Sequence, residues 1–301
     1  KIVTGQLVAS IKKMGFDYVF DVNLGADLTT YEEAKELVHW LKSGKDRPMF
    51  TSCCPGWVKF VEFFYPEFVS HLTTTKSPVI CSSSIIKTYF ADILKKDPRD
   101  IINITIMPCT AKKHEANLNR HKIDLGWCIE RLDLKNIEQV CKNRQNLQGI
   151  KIPAVDYVLT TREYAYLLHK HKIDLPNLKP EDADKPLNIY SGAGAIYGAT
   201  GGVMESALRS AYYFLNKNNV KTQQVAHLQA SHIEFEQARG MDGIKTAQVK
   251  VGGEKLNIAV VNGLCNARKL LEDIKSKKIE FDYVEVMACP GGCIGGGGQP
   301  V

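Results

Sequence analysis

The chain has 301 residues, 44% hydrophobic and 24% charged, with a formal net charge of +6. This balance fits a globular protein of one large domain or two lobes, and no run of about 18 apolar residues offers a transmembrane helix. Its lysines are scattered, with no basic block interleaved with aromatics, so they read as a solvated surface, with a docking face for an acidic protein as the alternative; nucleic acid and membrane are not expected partners. Nine cysteines is an odd count, and no signal-peptide layout opens the chain. Reduced thiols, some holding metal, are therefore expected rather than a disulfide framework. The chain opens inside an amphipathic period (Leu7, Val8, Ile11, Met14), as a fragment would.

In chain order, Tyr18-Val19-Phe20 reads as a strand, with a helix from Leu28 onward. "PMFTS" (48–52) reads as a strand before a helix through Trp57, Phe60 and Phe64. "INITIM" (102–107) is a strand followed by a helix. Residues 117–150 are charged, weakly periodic and give no clear element. "DYVLTT" (156–161) is a strand leading into a helix over Arg162 to His169. The second half repeats the style with "LNIYS" (187–191), a helix from Val203 to Leu215, "LNIAVVNG" (256–263) and "DYVEVMA" (282–288). Short buried strands separated by helices predict an α/β fold with mainly parallel sheets flanked by helices. The polar, Pro-rich stretch at 174–187 predicts a break between a lobe over about 1–178 and one over about 179–301.

Three of these strands end on thiols: "MFTSCC" on Cys53 and Cys54, "ITIMPC" on Cys109, and "VEVMAC" on Cys289, with Cys293 one turn later. Open parallel sheets bind ligands beyond the carboxyl ends of their strands. Cys54, Cys109, Cys289 and Cys293 could therefore converge on one centre, and residues four apart on a helical turn share a face. Four thiolates suit either a zinc ion or a [4Fe-4S] cluster; the lone CxxxC pair and scattered segments lean toward the cluster. Buried core cysteines are the plain alternative, and Cys81, Cys128, Cys141 and Cys265 are read that way or as surface thiols.

"TSCCPGW" (51–57), "MPCTAKKHEA" (107–116) and "EVMACPGGCIGGGGQP" (285–300) resemble, in order, the three signature segments of [FeFe]-hydrogenases. "FDVNLGADLT" (20–29), "SGAGAIYGATGGVMESALR" (191–209) and "RGMDGIK" (239–245) extend the resemblance over nearly the whole chain. It implies a hydrogenase that reversibly reduces protons to H2 with electrons from a ferredoxin-type donor. The implied fold has two α/β lobes with the cofactor in the cleft between them. The implied cofactor is a [4Fe-4S] cube ligated by Cys54, Cys109, Cys289 and Cys293. Cys293 is shared with a two-iron unit carrying CO, cyanide and a bridging dithiolate. Maturation proteins are implied as partners, and a cytoplasmic or hydrogenosomal location. Gly295 to Gly298 would let backbone pass close to this bulky group. A non-catalytic iron–sulfur assembly factor and a hydrogen sensor share the resemblance. No CxxCxxCxxxCP run for an accessory cluster occurs.

The resemblance also implies roles around the cofactor. Cys53 relays protons; as the neighbour of a ligand in extended backbone it points the other way, and its plain alternative is a packed thiol. Glu33 and Glu36, three apart on a helix face, and Thr73 continue the path. Glu33 has a competing role, because Thr30-x-x-Glu33 fits a capping box. Lys112, one turn after Cys109, donates to a cyanide ligand, where a solvated lysine is the plain alternative. Met107 and Met287 are soft contacts or core filling, and Pro78, Pro108 and Tyr197 border the cofactor. Val79 stands where the family commonly has glutamine, and Tyr197 where phenylalanine is usual.

Overall fold

The computed structural model describes residues 2–44, 46–142, 147, 149–185, 190–215, 243–251 and 253–300. In chain order these form α1 (Thr4–Lys13), α2 (Asn23–Ser43), β1 (Met49–Phe50), α3 (Pro55–Phe64) and α4 (Pro78–Ile85). A π-turn over Ile86–Phe90 runs into α5 (Ala91–Leu94), followed by β2 (Ile104–Met107), α6 (Lys112–Ala116), β3 (Lys122–Asp124), α7 (Leu125–Leu132) and α8 (Lys135–Lys142). Then come β4 (Lys151–Pro153), β5 (Tyr157–Thr160), α9 (Thr161–Lys170), α10 (Gly202–Leu215), β6 (Ile244–Val251), β7 (Glu254–Asn262), α11 (Leu264–Lys275) and β8 (Tyr283–Met287). No helix among the described residues is long and apolar enough to cross a membrane.

The chain forms two units that interleave in sequence, rather than dividing once near 178. One comprises Lys1–Gly25, Val79–Ser191 and Gly297–Val301; the other comprises Ala26–Pro78 and Gly192–Gly296. Strand pairing is the reason. β1, from the first fifth of the chain, pairs with β8 near its end, so residues 26–78 fold with the C-terminal half.

In the second unit the sheet order is β1-β8-β7-β6. β8 runs parallel to both neighbours, while β6 is an antiparallel edge strand. All five residues of β8 are buried, as expected of a central strand covered on both faces. Side chains alternate across a strand, and the two faces have separate cores. Phe50, Val284 and Val286 pack with Trp57, Phe60 and Val61 of α3 and with Ala267, Leu270 and Leu271 of α11. Met49 and Tyr283 pack with Ala34, Leu37 and Trp40 of α2 and with Met204, Ala207 and Leu208 of α10. Each Å² of apolar surface these two layers remove from water contributes about 25 cal/mol. α3 begins where it does because Pro55 occupies the first helical position, which needs no N–H, after an extended Cys54.

In the first unit β2 and β5 pair in parallel from Ile104↔Tyr157 to Met107↔Thr160. α9 follows β5 at once, started by a capping box between Thr160 and Glu163. The stretch 117–150 holds the short β3, which pairs antiparallel with β4, and α7 and α8, packed into a core through Ile123, Leu125, Cys128, Ile137, Cys141 and Ile152. The strand expected at 18–20 is a single bridge from Phe20 to Asp184. The one expected at 187–191 lies mostly outside the described residues, as does most of the 239–245 motif.

Candidate functional site

Parallel pairing of β1 with β8 makes the chain leave both strands at the same end of the sheet. Thr51 N–H donates to Val284 O at 3.0 Å, and the Ala288 N–H donates to Cys54 Sγ at 3.4 Å. The two cysteine-bearing turns are thereby held side by side at the carboxyl ends of the strands. Cys53, 8% exposed, packs with Ala26, Tyr197, Val203 and Met287, and Cys54 and Cys293 border the same cluster. Cys289 is half-buried two residues beyond β8. The structure thus gathers Cys53, Cys54, Cys293, Met287 and Tyr197 in one apolar cluster of the second unit. None of the nine cysteines forms a disulfide. Among the described residues, no three His, Cys, Asp or Glu side chains stand close enough to hold a single metal ion.

The first unit carries Met107, Pro108, Cys109 and Lys112. Met107 packs with Val79, Ile80 and Val155, so the family's usual glutamine is replaced here by a buried aliphatic. Lys112 is not a solvated charge: it is buried, and its ammonium donates to Glu115 Oε2 at 2.8 Å. The residues after 296 are stitched to the same region. Gly298 N–H donates to Pro108 O at 2.9 Å, and Arg162 N–H donates to Gly298 O at 2.8 Å. Pro78 opens α4, and the hydroxyl of Ser77 just before it, 2% exposed, has no hydrogen-bond partner among the described residues.

Several glycines of the last cysteine loop lie against the protein's own backbone. A Cβ at Gly295 would stand 2.2 Å from Pro290 O, and one at Gly298 2.9 Å from Cys109 N. Gly292, at φ +100°, would meet Thr200 N at 2.7 Å. At these three positions it is the protein's own backbone that comes close. At Gly297 a Cβ would meet nothing within 4 Å.

Glu33 is 1% exposed in the middle of α2. The capping-box alternative fails, because α2 already starts at Asn23, where Asp21 Oδ1 accepts the Asn23 N–H. Burial pushes the Glu33 carboxyl up to about 8; the Glu36 and Glu285 carboxylates raise it further, and a hydrogen bond from Tyr283 opposes them. Glu36 is half-buried and accepts the N–H groups of Thr74 and Thr75 at 2.9 and 3.2 Å. The Thr73 hydroxyl lies 2.9 Å from that of Ser52, the residue before Cys53. The extra hydroxyl of Tyr197 meets Thr30 Oγ1 at 2.6 Å.

Sequence reasoning missed Ser77, Ser52, Tyr283 and Glu285. Glu285 is fully buried on β8 and accepts the N–H groups of Gly201 and Met204 at 2.6 and 2.8 Å, satisfying two donors at the start of α10. Burial pushes its carboxyl up to about 7, against those bonds. The only signal was an acidic residue inside an otherwise apolar strand.

Known proteins were compared with the chain. Residues 1–297 match the family described as iron only hydrogenase large subunit, C-terminal domain. Iron hydrogenase 1 of Clostridium pasteurianum is 40% identical over 298 residues, which are 99% of this chain and 46% of that protein. Cytosolic iron-sulfur assembly component 3 of Pongo abelii is 29% identical over 98% of this chain and 56% of its own length. The chain thus spans about half the length of these two relatives. A solved variant of the apo [FeFe]-hydrogenase HydA1 from Chlamydomonas reinhardtii superposes with a TM-score of 0.75 at 33% identity, covering 99% of this chain and 73% of that one. The chain therefore belongs to the iron-only hydrogenase family, its residues 1–297 matching the C-terminal domain of the large subunit.

Proposed function

We propose that the chain is the catalytic domain of an [FeFe]-hydrogenase that reduces protons to H2 reversibly, with electrons from a ferredoxin-type donor. The observation that carries this is the packing of the Cys53–Cys54 pair with Met287, Tyr197 and Cys293 where two parallel strands end. In this reading Cys54, Cys109, Cys289 and Cys293 ligate a [4Fe-4S] cube, and Cys293 also holds a two-iron unit with CO, cyanide and a bridging dithiolate. The residues fit such a group. Thiols suit iron, while a buried ammonium at Lys112 and an unspent buried hydroxyl at Ser77 are donors suited to anionic ligands. Bound there, the cofactor would supply the redox chemistry.

The chain's own residues manage protons and exclude water. Cys53 gives and takes a proton at Sγ from within an apolar cluster. Glu33 carries the next one, its burial holding the carboxyl near 8 so that it exchanges protons close to neutral pH. Glu36 and Thr73 lead outward, the carboxylate anchoring the turn that presents the Thr73 hydroxyl. Met107, Met287, Pro78, Pro108 and Tyr197 wall the group.

A second reading, a non-catalytic iron–sulfur assembly factor, is favoured by the 29% identical relative. Infrared spectroscopy after loading with the two-iron cofactor, paired with H2 evolution from reduced methyl viologen, decides between them. The hydrogenase reading requires CO and CN bands and turnover. Iron–sulfur incorporation without those bands supports the assembly factor.

A further inference from the structure

We propose that Tyr283 is the positioning residue of Glu33, its phenol fixing which carboxyl oxygen is left to carry the relayed proton. The word "relayed" rests on the hydrogenase reading above; the pairing of the two side chains does not.

β8 alternates its side chains, so Tyr283 and Glu285 face α2 and α10. Tyr283 is fully buried among Leu37, Met49, Met204, Leu256 and Ile258. Its hydroxyl donates to Glu33 Oε1 at 2.7 Å. A phenol and a carboxyl in such surroundings are costly unless they satisfy each other. This pair breaks the symmetry of the carboxyl. An oxygen that accepts from a phenol is the carbonyl oxygen, so the acid proton of neutral Glu33 resides on Oε2.

Tyr283 does not itself release a proton. Burial and the neighbouring Glu33 carboxylate hold its phenol well above the ordinary value. During a transfer, Glu33 therefore loses one proton from Oε2 and regains one there, and Tyr283 ends as it began. The groups facing Glu33 are Glu36 on its own helix, Tyr283 and Glu285 on β8, and Tyr197 after the turn Ala193–Ile196. Of these, Tyr283 is the one that stabilises the charged carboxylate through a hydrogen bond.

The test has a cofactor-free arm. The carboxyl stretch of Glu33 is followed by infrared difference spectroscopy against pH in the cofactor-free chain, and is assigned by its loss in Glu33→Gln. Tyr283→Phe removes one buried oxygen and should move the midpoint upward by about one pH unit, roughly a tenfold gain in proton affinity. A ring-fluorinated tyrosine at 283 is a stronger donor and should move it downward, which keeps the test decisive if the Phe variant folds poorly. A midpoint unchanged within about 0.2 units in both, well short of what a lost charge-assisted bond implies, overturns the proposal. In the loaded enzyme, the alkaline limb of H2 evolution should shift with the infrared midpoint. If Glu33→Gln keeps full turnover, the relay reading fails while the pairing stands. If Glu33→Gln is inactive and Tyr283→Phe moves neither midpoint nor limb, the relay stands and Tyr283 is only packed.

Discussion

Replacing Glu33 with Gln should make the cofactor-free protein more stable at every pH above about 4.5, by a margin that grows until about pH 8. The folded chain holds this carboxyl at about 8 instead of an ordinary 4.5, chiefly because it is buried. Between those values the unfolded chain releases a proton that the folded chain keeps. Stability therefore falls as pH rises from 4.5 through 8 and is level beyond that window. At about 1.4 kcal/mol per pH unit, the loss amounts to about 5 kcal/mol when the transition is complete. Gln is neutral throughout, and its amide oxygen can still accept the Tyr283 hydroxyl. Urea denaturation of Glu33→Gln and the parent should give similar stabilities at pH 5, with the variant ahead by several kcal/mol at pH 9. A variant equally destabilised at both pH values would refute the reasoning. Such a result would mean that Glu33 is charged inside the fold and stabilised by partners.

Three further outcomes are expected. Cys53→Ser should lower H2 evolution per loaded cofactor at least about 100-fold, as loss of a general acid–base group does, with iron content unchanged; Cys53→Asp should retain part of the rate. Cys109→Ala should abolish cube assembly, read as iron content and EPR signal, and a variant with normal iron would remove Cys109 from the ligand set. Gly295→Ala should lower thermal stability of the cofactor-free chain, because its Cβ would stand 2.2 Å from Pro290 O, whereas Gly297→Ala should leave it unchanged. If Gly297→Ala then fails to take up the cofactor, that position is where backbone and cofactor come close.

Two of the strands that end on thiols, β1 and β8, were legible because burial on both faces leaves few polar residues, and the half-buried β2 showed by its alternating Ile and Thr. "VEVMA" and "INITIM" could be read as nothing else. The edge strand β6 was not, since exposed Lys245, Gln248 and Lys250 interrupt its apolar residues without a clean period of two. β3 and β4 have three residues each, too few to show a period. The start of α2 was read five residues late, because its signal is the Asp21 carboxylate receiving the Asn23 N–H, two residues before Gly25 makes the run look like a turn. The cysteines announced themselves by type and position. The partner of Glu33 did not: Tyr283 is 250 residues away and looks like an ordinary core aromatic in an apolar strand until the sheet brings the two together. The glycine loop was visible as a close approach, but sequence could not say to what.

β1 has just two residues, and β8 is its ladder partner. Cys54 and the Ala288 N–H it accepts are 234 residues apart. At about 5–20 residues per second, a ribosome needs about 12–47 s to deliver the second after the first. Throughout that interval the Cys53–Cys54 turn is held only by its near neighbours, such as the Thr73 N–H on Phe50 O and the Trp57 indole on Thr51 O, and lacks the strand that pairs with it. Assembly of the centre therefore waits for β8, and is governed by how long a half-made sheet survives in the cell.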